Sequence, residues 1–293
     1  MKIKHLSHFS VNKQNWDELI LQADNGLVYA LSWYLDIISP QWEALISSDL
    51  TYIMPIPIKR KYKLPYIVQP PLAQQLGVFG KAPVPAEIMR MFIKNLPSYS
   101  YQLNLNYNNL YTKSLQMPNY ILSLNETYDK LIKAYSKNTM RNIQKAESNA
   151  LKIIHNYNIK DFLSLYESVN RKYKLIDSNR MHALISQGHE RSIFRIKAVA
   201  NKSGDVTAAL CYTLFKNRLT YLIPVSNEQG KKDSAMFYLV DQLIRETSGK
   251  NILLDFEGSS IPGVARFYKG FGATNQPYHV IKKLRPSFLV GRV

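Results

Sequence analysis

Two carboxylates and one tyrosine near the end of the chain are the side chains best suited to catalysis. Asp255 and Glu257 close the apolar run Ile252–Phe256, which predicts a buried strand. Tyr268 follows them. Either carboxylate is a candidate general base, and the tyrosine hydroxyl is a candidate proton donor. The structural alternatives are that Asp255 caps the turn after the strand and that Tyr268 is a core aromatic residue.

The segment after the two carboxylates predicts a short helix that carries Tyr268. Residues 258–260, Gly-Ser-Ser, have the composition of a turn with helix-capping side chains. Pro262 suits the first helical position, where its missing N–H has no partner to lose. Gly270 and Gly272 end the helix. Because ligands of open α/β sheets bind at the carboxyl ends of strands, we expect this turn to lie at a binding site.

A second candidate site is the loop VSNEQGKKDSA at residues 225–235, between a predicted strand and a predicted helix. Backbone N–H groups at a helix N-terminus form an anion site, and a glycine lets a phosphate approach. Lysine side chains add electrostatic pairing. The alternative is a plain solvated turn. The residues that we expect to bind a phosphate-bearing donor are Asn227, Gly230, Lys231, Lys232 and Ser234.

The longest helical pattern, over Thr127–Ala150, has one apolar face and one basic face. The cations within an arc of about 120° are Lys130, Lys133, Lys137, Arg141 and Lys145. A face of one charge favours phosphate binding, and the alternative is an ordinary solvated helix. The candidate substrate or phosphate ligands on this face are Lys137, Arg141 and Lys145.

The composition predicts a folded protein with an anionic partner. The 293 residues suit one large domain or two medium ones, and 46% of them are hydrophobic. Lys and Arg total 38 against 21 Asp and Glu, a net charge of +17. This excess favours nucleic acid, a phosphate-bearing cofactor or a membrane surface as the partner, with solubility alone as the alternative. The N-terminal residues lack the pattern of a signal peptide, and no apolar stretch suits a membrane span. Cys211 is the one cysteine, so the sequence offers no disulfide. We therefore expect a cytoplasmic protein.

Several site classes have no support in the sequence. The six histidines include no H-x-x-x-H spacing, and no C-x-x-C occurs, so we expect no metal. No P-loop and no G-x-S-x-G string is present. The glycine pattern of dinucleotide-binding folds is also missing, so a dinucleotide site is not expected.

The alternation of strand and helix patterns predicts an α/β fold with two domains. Strands are predicted at Lys2–Phe9, Trp42–Ile46, Thr51–Ile58, Tyr101–Leu105, Tyr120–Leu124, Ile193–Ala200, Val206–Phe215, Arg218–Pro224 and His279–Leu284. Helices are also predicted at Lys13–Ala23, Val28–Ile38, Pro85–Leu96, 160–173, 179–187 and Ser234–Thr247, and a basic tail ends the chain. The polar stretch 106–119 suits a domain boundary, which gives domains at 1–115 and 116–293 with the candidate active site in the second.

Four segments carry a family resemblance. ARFYKGFGA at 265–273 resembles the A-x-x-F-Y-x-x-x-G-F ending of GNAT acyltransferases, and the longer DFEGSSIPGVARFYKGFGA resembles the C-terminal block of the Fem-like branch. KNTMRNIQKAESNALKI resembles the K-x-x-R-x-x-I-x-x-A segment of Fem-like enzymes. WYLDIISPQWEAL, with QPPLAQQLG, is similar to their N-terminal half. The resemblance implies two tandem GNAT-like domains, each with a mixed, mostly antiparallel sheet flanked by helices.

The same resemblance implies an N-acyltransferase that forms an amide bond. Its donor would be an acyl-CoA such as acetyl-CoA, or an aminoacyl-tRNA, and its acceptor a small-molecule or peptide amine. Tyr268 matches the GNAT tyrosine that protonates the leaving group. GNAT enzymes wrap the CoA pyrophosphate with an R/Q-x-x-G-x-G/A loop. Only Gly230 matches that loop in this sequence. Asn227 replaces its Arg or Gln, and Lys232 replaces its last small residue.

A second reading is a non-catalytic module of the same fold. Such a module would use its basic surface to bind RNA or an anionic cell-envelope precursor, and peripheral contact with an anionic membrane is a further expectation from the charge. Fem-like enzymes that use tRNA often carry a helical hairpin insertion, and the sequence shows no such insertion.

Overall fold

The computed structural model describes residues 1–155, 157–170 and 175–283. It divides the chain into two compact units. The first unit combines residues 1–118 with the segment that begins at Pro277, and the second unit is Asn119–Gln276.

Strands and helices are numbered along the whole chain. The strands are β1 Ile3–Leu6, β2 Glu43–Ser47, β3 Tyr52–Ile56, β4 Ile58–Lys61, β5 Leu64–Val68, β6 Phe79–Gly80, β7 Tyr101–Asn104, β8 Leu115–Met117, β9 Tyr120–Ser123, β10 Lys152–Ile154, β11 Phe194–Ala200, β12 Val206–Phe215, β13 Arg218–Ser226, β14 Leu253–Asp255, β15 Thr274–Asn275 and β16 Tyr278–Lys283. The α-helices are α1 Lys13–Gln22, α2 Ser32–Ile38, α3 Ala86–Lys94, α4 Tyr128–Leu131, α5 Lys137–Ser148, α6 Ile159–Val169, α7 Ser178–Glu190, α8 Glu228–Lys232, α9 Ala235–Thr247 and α10 Pro262–Gly270. Short 3-10 helices lie at His8–Ser10, Val28–Ala30 and Ile132–Ala134.

The first unit contains two sheets. One has the strand order β1-β2-β3-β6, with β1 at its edge and a β2–β3 hairpin. The other has the order β4-β5-β7-β16-β8, in which only β5 and β7 run parallel. The core of this unit includes Leu45, Met54, Ile67, Phe92 and Leu103, all fully buried. Helix α1 is capped by Asn12, whose side chain accepts the Asn15 N–H at 3.0 Å.

The second unit is built on one seven-stranded sheet of order β10-β11-β12-β13-β14-β9-β15. Its strands pair antiparallel except β13 with β14, which pair parallel. The three consecutive strands predicted at 193–224 are found as β11, β12 and β13, and they form an antiparallel meander. Apolar side chains of α9, including Leu239, Val240 and Leu243, pack with the sheet residues Leu210 and Leu254 in its core.

The observed division differs from the predicted domains 1–115 and 116–293. The last strand, β16, pairs antiparallel with β7 and β8 of the first unit, so residues 277–283 do not belong to the second unit. Its local pattern of apolar and polar residues predicts a strand and contains no information about which strand it joins. The first change of unit lies between Pro118 and Asn119, inside the predicted boundary stretch.

The long basic helix predicted over 127–150 is wrong, because the chain forms two helical pieces there. Tyr135 is extended between them, and Ser136 caps α5 by accepting the Thr139 N–H at 3.1 Å. The Ser136 N–H is satisfied by the carbonyl of Gly270, at 2.9 Å. Lys130 and Lys133 therefore do not continue the face of α5.

Some predicted elements extend past the described residues. Positions 171–173 of the predicted helix 160–173, Leu284 of the last predicted strand and the basic tail all lie outside them.

Candidate active site

Asp255 ends β14 and is engaged by the protein on both carboxylate oxygens. Its side chain is 2% exposed. Oδ1 accepts the Glu257 N–H at 2.9 Å, and Oδ2 forms an ion pair with Nη1 of Arg218. The first bond is the turn-capping contact that stood as the structural alternative for this residue. The catalytic role stays a prediction for Asp255.

Glu257 lies two residues later in a left-handed backbone conformation, with φ of 60°. Its carbonyl accepts the Tyr120 N–H at 3.1 Å, which ties the turn to β9. The residue is partly exposed, and its charge acts on the nearby Tyr268 hydroxyl. Of the two predicted carboxylates, Glu257 is therefore the one with access to solvent beside the tyrosine.

Tyr268 is held on α10 by neighbouring rings. Pro262 is the first residue of this helix, as predicted. The Tyr268 ring stacks on Phe256 with centroids 5.0 Å apart and meets Tyr221 edge-on at 5.8 Å. Burial, followed by the charges of Glu257 and Asp255, raises the pKa of Tyr268 well above its ordinary value. The hydroxyl therefore keeps its proton at neutral pH.

A cleft opens where β13 and β14 stop pairing. The two parallel strands pair only over Arg218–Thr220 and Leu253–Asp255, and β13 then continues to Ser226 without β14 beside it. An open cavity of about 360 Å³ lies along this part of β13. Its lining residues are Tyr221, Pro224, Ser226, Gly230, Lys231, Ser234, Met236, Phe237, Gly263, Val264, Phe267 and Tyr268. We call this space the tyrosine cavity.

A β-bulge in β13 lies at the cavity. Cys211 of β12 is paired with Ile223, but Thr213 is paired with Thr220, so two residues of β13 face one residue of β12. A bulge leaves one residue out of the hydrogen-bond ladder and often lies beside an active site. The sequence predicts the strand. It does not predict the bulge or the position of Tyr221 in the cavity wall, because neither has a local signal in a run of apolar and aromatic residues.

The structure brings part of the predicted donor loop into the cavity. Gly230, Lys231 and Ser234 line it, whereas Asn227 and Lys232 do not. The Lys231 ammonium pairs with Glu228 at 2.6 Å. The Ser234 hydroxyl donates to the Asn142 side chain at 2.7 Å, which connects the start of α9 to α5. Donor binding by these five residues stays a prediction.

Two of the loop residues have clear structural roles. The Asn227 side chain caps α8 by accepting the Gly230 N–H at 2.8 Å, so that N–H already has a partner. A Cβ at position 230 would lie 2.3 Å from the carbonyl oxygen of Thr207. Glycine is therefore required at this position by the contact of α8 with β12.

The basic residues of α5 lie on an exposed face. Lys137, Arg141 and Lys145 follow one another at intervals of four residues, so they share one side of this helix. The side chain of Arg141 donates to Asn138 at 3.0 Å. Because the neighbouring Asn142 contacts Ser234 of the tyrosine cavity, this helix is tied to the cavity wall. The anion-binding role of the three cations stays a prediction.

Among the residues that the structure describes, no three or more His, Cys, Asp and Glu side chains come together as a possible metal site. Within the same residues, no helix combines the length and apolar character needed to cross a membrane.

No family model and no curated protein matches this sequence. Solved structures do match it. FemX is similar with a TM-score of 0.68 at 11% identity, over 99% of both chains. L-PGS from Bacillus licheniformis gives 0.57 at 9% identity, over 96% of this chain and 98% of that one. The C-terminal domain of a putative lysylphosphatidylglycerol synthetase from Agrobacterium fabrum gives 0.53 at 8% identity, over 92% and 91%.

At these identities the similarity shows the fold. The chain has the fold of FemX, with mostly antiparallel sheets flanked by helices. The predicted Fem-like α/β fold is therefore confirmed.

Proposed function

We propose that this protein is an acyltransferase or aminoacyltransferase that forms an amide bond between an activated acyl donor and an amine acceptor. The observation that carries the proposal is the end of β13–β14 pairing at Thr220 and Asp255, which leaves a cavity with Tyr268 in its wall. The FemX fold supports it. The similarity to a protein named for the synthesis of lysylphosphatidylglycerol supports the transfer of an aminoacyl group, since that name describes the attachment of a lysyl group; it does not bear on the amine acceptor.

The reaction needs two proton transfers. Tyr268 in the cavity wall is the candidate for one, and Glu257, which does not line the cavity but whose charge acts on Tyr268, is the candidate for the other. The acceptor nitrogen attacks the acyl carbonyl carbon, the new C–N bond forms, and the carbonyl electron pair moves to oxygen. Glu257 removes the proton that the nitrogen releases. When the intermediate collapses, Tyr268 gives its proton to the departing oxygen or sulfur. The proton on Glu257 then returns to the Tyr268 phenolate, so both residues end in their starting state.

The developing oxyanion requires N–H donors in a fixed position. The bulge in β13 supplies them in this proposal, because it releases backbone groups of Tyr221 and Leu222 from the ladder with β12. The apolar side chains of Met236, Phe237 and Phe267 line the same cavity and suit the acyl part of the donor.

One feature favours an ester donor, as in aminoacyl-tRNA, over a CoA thioester. The Gly230 N–H, which would face a CoA pyrophosphate in the GNAT loop, is taken by Asn227. The basic face of α5 suits either polyanionic donor.

The proposal is tested by measuring transfer from acetyl-CoA, longer acyl-CoAs and aminoacylated total tRNA to peptide amines. An acyl-CoA donor should release free thiol and an aminoacyl-tRNA should release deacylated tRNA, in each case only when the peptide amine is present. In Tyr268→Phe we expect the rate to fall by a factor of roughly 10², because only the acidic proton is lost and the ring stays packed. Donor affinity and the thermal midpoint should stay near those of the wild type.

Tyr238→Phe is the matched control, since Tyr238 lies on α9 and does not line the cavity. It should keep the wild-type rate. If Tyr268→Phe also keeps the full rate with a donor that the wild type uses, the proposed mechanism is wrong. If no donor is turned over but RNA or an anionic cell-envelope precursor binds, the non-catalytic alternative is correct.

A further inference from the structure

The second unit has another cavity, of about 860 Å³, which the acyl-transfer proposal does not use. We call it the histidine cavity. It is lined by His155, Tyr157, Asn158, Ile159, Lys160, His182, His189, Arg195, Ile196, Lys197, Tyr212 and Glu246. These residues share no member with the lining of the tyrosine cavity. The site therefore needs an explanation of its own.

The lining is rich in basic side chains. It includes three histidines, two lysines and one arginine, against one carboxylate, that of Glu246. That carboxylate is paired with the Lys197 ammonium. Lys160 and Arg195 take part in none of the ion pairs among the described residues. Two permanent positive charges therefore line the cavity without an ion-pair partner among the described residues.

The floor of the cavity is built from buried polar groups. Lys197 is 4% exposed and Tyr212 is 7% exposed. Arg195 and Tyr212 are direct partners across β11 and β12, and Arg195 acts on the tyrosine hydroxyl. Burial raises the pKa of Tyr212, so its hydroxyl remains a hydrogen-bond donor at neutral pH.

The basic side chains come from separate elements. His155 follows β10, Lys160 lies in the first turn of α6, His182 and His189 lie on α7, and Arg195 lies on β11. The first turn of a helix adds positive potential to the charge of the side chains. The Asp161 carboxylate near the start of α6 opposes this field and accepts the Asn158 side-chain N–H at 2.6 Å.

We propose that the histidine cavity binds a small phosphorylated molecule, separately from the acyl donor. A guanidinium and several imidazole N–H groups are donors that match phosphate oxygens. The volume lies within the range of pockets for small ligands. Tyr157, Ile159 and Ile196 supply an apolar wall for the part of the ligand that carries the phosphate.

Helix α9 connects the two cavities. Phe237 in its first turn lines the tyrosine cavity, and Glu246 in its last turn lines the histidine cavity. Nine residues at 1.5 Å each separate these positions by about 14 Å along the helix. The two ligands would therefore occupy opposite ends of one element.

Inorganic pyrophosphate is the probe, titrated into the full chain in a calorimeter. The double variant Lys160→Gln/Arg195→Gln should bind it at least about tenfold more weakly, because two charge-assisted contacts are lost. Lys152→Gln removes an exposed lysine of β10 that does not line the cavity and should bind like the wild type. Lys231→Gln tests whether the probe binds instead at the tyrosine cavity, which Lys231 lines.

Histidine ring resonances give a second measurement that does not depend on any variant. Pyrophosphate should shift the signals of His155, His182 and His189 and leave those of His5 and His8 in place. The inference is overturned if these three signals do not move, or if only Lys231→Gln weakens binding. Equal losses in the double variant and in Lys152→Gln would also overturn it, because they would show attraction to the overall charge alone.

Discussion

Arg218 and Asp255 form a buried ion pair at the point where β13 and β14 stop pairing. The two side chains are 12% and 2% exposed, and Asp255 lies opposite Thr220, the last paired residue of β13. Nη2 of the same guanidinium contacts Oε1 of Gln276 at 3.4 Å. The pair holds the two strands together beside the tyrosine cavity. The proposed mechanism therefore uses Asp255 for positioning and Glu257 for the proton transfer, and both roles remain predictions.

The first prediction is that Asp255→Asn strongly destabilises the second unit. The substitution leaves the Arg218 charge buried without its counter-charge, which costs about 3–5 kcal/mol in comparable cases. Urea denaturation gives the free energy of unfolding. Arg218→Met/Asp255→Asn removes both charges and should recover part of the loss. A double variant that loses as much as the two single variants together would show that the pair does not act as a unit.

The second prediction concerns the pH dependence of acyl transfer. A general acid must be protonated, and a raised pKa extends the protonated range to higher pH. Because the pKa of Tyr268 is raised by burial and by Glu257, the rate should not decline between about pH 8 and pH 10, near the ordinary value for tyrosine. The measurement is kcat/KM against pH, which reports groups of the free enzyme. A decline in that range that disappears in Tyr268→Phe would contradict the prediction.

The strand–turn–helix segment was predictable because its signals are local. Pro262 at the first helical position and Gly270 at the helix end were both read from the sequence and are found there. The break before α5 was not. Ser136 caps this helix, and its own N–H is satisfied by Gly270, a residue far away in the sequence. A helical pattern that continues across Ser136 contains no information about a hydrogen bond to a residue so far away in the sequence.

The histidine cavity was missed for a related reason. Its three histidines are far apart in the sequence and follow no ligand spacing, so the sequence alone does not predict that they share a site. The pairing of β10 with β11 and the packing of α7 against β11 bring them to one place. Arg195 is a further example. A single arginine on a predicted strand does not indicate which cavity or partner its side chain faces.

The third prediction tests the basic face of α5. Lys137→Glu/Arg141→Glu should weaken the binding of acetyl-CoA or total tRNA, whichever the wild type binds, by at least about tenfold, since two attractions become repulsions. The free energy of unfolding should barely change, because exposed charges contribute little to folding. Lys152→Glu/Lys202→Glu makes the same change of charge elsewhere on the second unit. If both variants weaken binding equally, α5 is an ordinary solvated helix.

The last prediction separates two roles for Gly230. If this glycine allows a phosphate to approach, Gly230→Ala should lower donor affinity and leave stability unchanged. The structure predicts the opposite, because the new Cβ would meet the Thr207 carbonyl at 2.3 Å and the Ser226 hydroxyl at 2.6 Å. A backbone carbonyl in a sheet cannot move aside easily. We expect a loss of about 1–3 kcal/mol in the free energy of unfolding, typical of overpacking.

Gly263→Ala is the matched control for this change. Gly263 lines the same cavity, and a Cβ there would meet nothing within 4 Å. Alanine in α10 should therefore keep the stability or raise it by up to about 1 kcal/mol through its higher helix propensity. Urea denaturation measures both variants, and calorimetry measures donor affinity in Gly230→Ala while it is folded. A Gly230→Ala variant that keeps its stability but loses donor affinity would contradict this prediction. It would show that the glycine is needed for phosphate binding and that the contact with β12 tolerates a Cβ.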